Sequence, residues 1–161
     1  MLKKIIIASL IIVSFASCKA KKQAFDYSQE FVKKEMSLMD DITATENKVE
    51  RFFGAAQYDS IAIAGEKMEQ LVEVKIQEIK NAPAPDVKEG ENFKEACLKY
   101  FRFIKSMYTG YKDFGKASTE EQREAEKTKI IELTGKRQDA MNDIKAAQKK
   151  YADANGFKLE K

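Results

Sequence analysis

Seven residues, Phe93, Cys97, Tyr100, Ile104, Met107, Tyr111 and Phe114, follow one another at alternating steps of four and three. A helix of about 3.6 residues per turn puts such a series on one face, and a face this continuous needs other helices to cover it. Three further stretches keep the same rhythm. Phe31, Leu38, Ile42, Thr45, Val49 and Phe52 share a face from about Asp26 to Phe53; Ile61, Met68, Leu71, Val72, Ile76 and Ile79 form the second stretch. The fourth runs through Ile130, Leu133, Arg137, Ala140, Ile144, Ala147, Tyr151 and Ala154. Alternating β-branched runs, the mark of strands, are missing.

Stop and start signals fall between these stretches. Gly54 and the small residues after it end the first helix, and Asp59 or Ser60 is expected to cap the second. The chain's only two prolines, Pro83 and Pro85, stop the second helix. Gly115 closes the third, Ser118 with Glu121 reads as a capping box for the fourth, and Asn155-Gly156-Phe157 reads as a left-handed C-cap. Short connections after the first and third helices force antiparallel hairpins, and two hairpins bury their stripes best against each other. The expected fold is all-α, an antiparallel up-down-up-down four-helix bundle over residues 26–161.

The N-terminus has a different character. Met1-Leu2-Lys3-Lys4 carries two positive charges, and the run from Ile5 to Val13 is uncharged and apolar, the layout of an export signal. Ser14-Phe15-Ala16-Ser17-Cys18 interrupts this run before it reaches the roughly 20 apolar residues a membrane-spanning helix needs. The small pair Ala16-Ser17 directly before Cys18 resembles the bacterial lipoprotein signal, although Phe15 stands where that family usually has Leu. The resemblance implies cleavage before Cys18, a diacylglyceryl group on its sulfur and a further acyl chain on the new amino terminus. Residues 1–17 are then a signal peptide, and 18–25 a lipidated cysteine with a basic tether. Lys19 is not the Asp that in enteric bacteria resembles an inner-membrane retention signal. The resemblance therefore implies the outer membrane of a Gram-negative bacterium, on its periplasmic or surface face. By length and by its hairpin, Ala-Pro linker, hairpin order, the remainder is similar to the uncharacterised helical surface and envelope lipoproteins of Bacteroidetes-type bacteria and spirochaetes. No catalytic motif comes with that likeness.

Composition narrows the chemistry. Cutting 17 residues from 161 leaves 144, enough for one domain with its own core, and removes Lys3 and Lys4, so the formal charge of +3 falls to +1. With no clustered basic face, a nucleic-acid partner is not expected. The chain has no histidine, which removes the commonest general base and metal ligand, together with Glu-x-x-His di-iron sites and histidine-ligated haem. Its cysteines are Cys18 and Cys97, so an acylated Cys18 leaves no internal disulfide, and Cys97 reads as a small core hydrophobe. Asp40-Asp41 lacks the surrounding calcium-loop pattern, and no metal or cofactor is expected. Asp59-Ser60-Ile61 is similar to an O-glycosylation motif of some exported proteins, but capping accounts for the same residues.

Three charged residues interrupt the apolar seams: Glu35, Lys75 and Arg137. Counted from the hairpin turns they share one level with Cys97, which suggests a polar layer with Glu35 bridging a cation on a neighbouring helix; the alternative is that each snorkels to the edge of its stripe. Phe103 and Tyr108 flank the third seam, either as a partner patch or as filling for a thick core. The expected function is a non-enzymatic interaction or structural module, tied to a membrane through lipid on Cys18 and binding a protein partner. The alternative is a carrier or sensor that admits a small apolar ligand between its helices.

Overall fold

The computed structural model of the protein describes residues 3–159, with residues 3–17 described by their backbone alone. Its helices are α1 (Lys3–Gly54), α2 (Tyr58–Asn81), α3 (Gly90–Lys116), α4 (Glu120–Gly135) and α5 (Arg137–Asn155). They form the expected all-α bundle: α2 packs on α3 and α1, α3 on α4 and α5, and α1 closes the ring against α5.

The most extensive helix pairing is the α2–α3 hairpin. Buried Ile61, Met68, Val72, Ile76 and Ile79 of α2 meet Phe93, Cys97, Leu98, Phe101, Tyr108 and Phe114 of α3. Glycines allow the two backbones to approach closely. A Cβ built on Gly65 would lie 2.6 Å from the Lys112 amide nitrogen, and one on Gly115 would strike the backbone of Tyr58 and Ala62. Along the rim, Glu73 pairs with Lys105 at 2.8 Å, Glu69 with Lys112 at 2.6 Å and Glu66 with Lys116 at 3.2 Å, descending one helix as they ascend the other. That order suits only the antiparallel register.

Local signals hold at some ends and shift at others. Gly156 takes the left-handed conformation at φ 70°, and the Phe157 amide donates back to the Ala152 carbonyl at 3.1 Å, so the predicted C-cap forms and Phe157 folds into the core. The capping box forms one residue later than expected: Thr119 accepts from the Gln122 amide, and the Gln122 side chain accepts from the Thr119 amide. Helix α2 starts at Tyr58 after Gln57, which places Asp59 in its first turn rather than at the cap. As expected, α1 ends at Gly54 and the small residues after it turn the chain, Ala56 at φ 51°.

The fourth expected helix is broken at Lys136. Thr134 hydroxyl bonds back to the Ile130 carbonyl at 2.8 Å, glycine follows at 135, and the Lys136 amide is shared between the carbonyls of Glu132 and Leu133. Thr43 and Thr128 make the same back-bond without interrupting their helices, so Gly135, the weak helix former that follows Thr134, is what sets this position apart.

At the other end α1 does not begin at Asp26. Residues 18–25, read from the sequence as a tether, are helical, and Ala24 is already fully buried, so the bundle begins two residues earlier than expected. Of the expected signal peptide, residues 1 and 2 lie outside the described residues, as do the side chains of residues 3–17. Among the described residues no helix is long and apolar enough to cross a membrane.

Candidate functional site

The bundle is sealed near Cys18 and splayed away from it. Close to Cys18, α1 meets α5 and the chain end through Tyr27 with Tyr151, Phe25 with Phe157, and Gln148 donating to the buried Ser28 hydroxyl at 3.1 Å. Phe93 stacks on Tyr151 with ring centroids 4.6 Å apart. Farther along, among the described residues, α1 and α4 do not pack against each other. Glu35 and Glu46 are 11 residues apart, about three helical turns, so both point to the same side of α1. They reach across to tyrosines of α3: Tyr100 donates to Glu35 at 2.7 Å, and Tyr108 and Tyr111 donate to Glu46 at 3.2 and 3.1 Å. Burial pushes the ionisation of all three hydroxyls above the ordinary tyrosine range, and the neighbouring carboxylates push the same way, so each stays a neutral donor.

Next to this ladder lies a small cavity of about 200 Å³ whose walls include Met39, Ile42, Ile104, Met107 and Met141, with Glu35 and Arg137 among its polar groups. Tyr100 and Phe103 form the wall it shares with a larger groove between α3 and α5, of about 610 Å³. Ala96, Ala140 and Ala146 leave that groove open, Ile144 lines it, and the Lys99–Asp143 pair at 2.7 Å stands at its rim.

The expected layer of Glu35, Lys75 and Arg137 does not form as a charge network. No ion pair joins them among the described residues. Glu35 is taken by Tyr100, Arg137 is half exposed and approaches Glu46 at 3.7 Å, and Lys75 joins Lys34 in clamping Glu78 at 3.2 and 2.6 Å on the α1–α2 seam. The Lys34 and Lys75 ammonium groups hold the Glu78 carboxyl below the usual range against partial burial. Long side chains reached the nearest accessible acid instead of crossing a crowded core. Glu35 and Arg137 do share the wall of the small cavity.

The expected patch of Phe103 and Tyr108 also divides. Tyr108 is only 2% exposed and belongs to the core, because its face of α3 is covered by α1 and α2; Phe103 is half-buried and lines both hollows. Glu46 was the residue missed from the sequence, although its 11-residue spacing from Glu35 was readable. Cys97 is buried, 1% exposed, and burial pushes its thiol far from the thiolate that nucleophilic chemistry needs. Cys18 is exposed on α1, outside the packed core.

No family model, curated protein or solved structure matches the chain. What can be said of its role therefore rests on the chain's own residues.

Proposed function

We propose that the protein is an envelope lipoprotein, held at a membrane by acyl chains on Cys18, whose bundle acts as a non-enzymatic interaction or structural module. The observation that carries this reading is the small pair Ala16-Ser17 before an exposed Cys18, behind a charged start and an apolar run. Packing is compatible with it: the described core begins at Ala24, so cleavage before Cys18 takes nothing from that core. Two or three acyl chains, at roughly 0.8 kcal/mol per buried methylene, are enough for stable attachment. A chain without histidine, whose other thiol is buried, suits a binding role better than a hydrolytic one.

Cys18→Ser tests the reading. The substituted protein should leave the membrane fraction while keeping the parent's helical signal and unfolding midpoint. Fractionation with membranes like the parent would overturn the anchor.

The groove supports a second reading, a carrier of small apolar ligands, since about 610 Å³ lies within the range of ligand pockets and Phe103, Tyr100 and Ile144 supply apolar walls. An apolar fluorescent dye should brighten with the folded protein and lose that response in Ala140→Phe, which fills the groove. An unchanged response in that variant would remove the carrier reading.

A further inference from the structure

The end of the bundle beside Cys18 is assembled from three segments far apart in sequence. Ala20 and Lys21 of α1, Val87 and Lys88 of the α2–α3 linker, and the stretch from Asp153 to Gly156 line one shallow hollow. The Asn155 side chain fastens it by donating to the Lys88 carbonyl at 2.8 Å. Cys18 precedes Ala20 by two residues of the same helix, about 3 Å of rise. Acyl chains on Cys18 would therefore bring this whole end face, and not a flexible leash, to headgroup depth.

The charges exposed there are unbalanced. Asp26, Glu89 and Asp153 are each held by a lysine, Lys22 at 2.5 Å, Lys150 at 2.8 Å and Lys149 at 2.5 Å. Lys19, Lys21, Lys88 and Lys158 are exposed and make no ion pair among the described residues; among the described acids nearby, Asp86 and Glu91 are likewise exposed without one. The sequence pattern reveals only the lysines that follow Cys18, whereas the fold adds Lys88 and Lys158 to them.

We infer that this end face, built by Lys19, Lys21, Lys88 and Lys158 around the Cys18 attachment point, is a docking surface for anionic phospholipid headgroups that holds the bundle upright on its leaflet. The inference rests on the anchor proposed above. Upright docking would carry the far end of α1 away from the bilayer: Lys48 lies about 42 Å from Ala20 along the helix.

The test uses the acylated protein on vesicles of phosphatidylcholine alone or mixed with phosphatidylglycerol, collected by flotation, with lysine acetylation rates read by mass spectrometry. A lysine held at an anionic surface is stabilised there enough for roughly a fivefold lower free population. Acetylation of Lys88 and Lys158 should therefore slow by about that factor on the mixed vesicles, while Lys48 and Lys67 label equally on both. Flotation with both vesicles but equal labelling of Lys88 and Lys158 would overturn the docking face and leave the anchor standing. Flotation with the anionic vesicles alone would support the basic face and overturn the acyl anchor, and flotation with neither would overturn both.

Discussion

Replacing Gly65 by alanine sets two effects against each other. In a helix interior alanine is favoured over glycine by about 1 kcal/mol, so from sequence alone the change should stabilise α2. The packing says otherwise. The added Cβ would stand 2.6 Å from the Lys112 amide nitrogen, 2.8 Å from the Tyr108 carbonyl oxygen and 3.1 Å from the Tyr111 carbonyl carbon. All three are backbone atoms, so no rotamer change relieves the clash and α2 must move off α3. The separation would loosen Met68 and Tyr108, 1% and 2% exposed, and the Glu69–Lys112 pair at 2.6 Å. Overpacking of this kind costs up to about 3 kcal/mol, leaving a net loss of about 2 kcal/mol. With a urea dependence of roughly 2 kcal/mol per molar, the unfolding midpoint followed by circular dichroism should fall by about 1 M. Gly135→Ala is the control: among the described residues nothing outside its own stretch of helix lies within 4 Å of its Cβ, so the propensity effect alone should raise the midpoint slightly. A Gly65→Ala protein as stable as Gly135→Ala would refute the close α2–α3 approach.

Further outcomes follow from the polar ladder and the core. Glu46→Ala should cost about 1 to 3 kcal/mol, because it leaves the Tyr108 and Tyr111 hydroxyls without their acceptor, whereas Arg137→Ala, removing a half-exposed partner at 3.7 Å, should cost at most about 0.5 kcal/mol in the same urea titration. Tyr151→Phe should be neutral or stabilising, since its buried hydroxyl has no hydrogen-bond partner. Burial pushes the Tyr151 hydroxyl up to about 12, and Tyr100, Tyr108 and Tyr111 higher still. The folded state thus keeps protons that the unfolded chain releases near pH 10, so the stability they contribute is intact below pH 10 and falls as pH rises beyond it. Absorbance titration should show these tyrosines ionising together with loss of helix; ionisation near pH 10 in the folded protein would contradict their burial.

Features carried by neighbouring residues were legible in the sequence, while those set by distant contacts were not. The α3 seam declared its helix because seven residues keep one face, and Gly156 declared its C-cap because only local geometry is involved. Gly115 looked like a stop signal, yet α3 runs on to Lys116 and the glycine is there because α2 passes against it. Likewise Tyr108 reads as a flanking aromatic until α1 and α2 cover it. The charged trio of Glu35, Lys75 and Arg137 shared a level along the bundle, but level alone does not fix which side of each helix a residue faces, and the acids Glu46 and Glu78 took two of the three. The break at Lys136 follows Thr134 and Gly135, which an apolar periodicity running on past them to Ala154 does not register. At the Cys18 end the lysines after the cysteine were visible at once, but not the arrival of Lys88 and Lys158 beside them.

The most direct measurement is the intact mass of the protein extracted from the membranes of its host. A chain starting at Cys18 and heavier by a diacylglyceryl group, with or without an amide-linked acyl chain, is the predicted result. A free thiol at that position, or a mass that still includes residues 1–17, would contradict it.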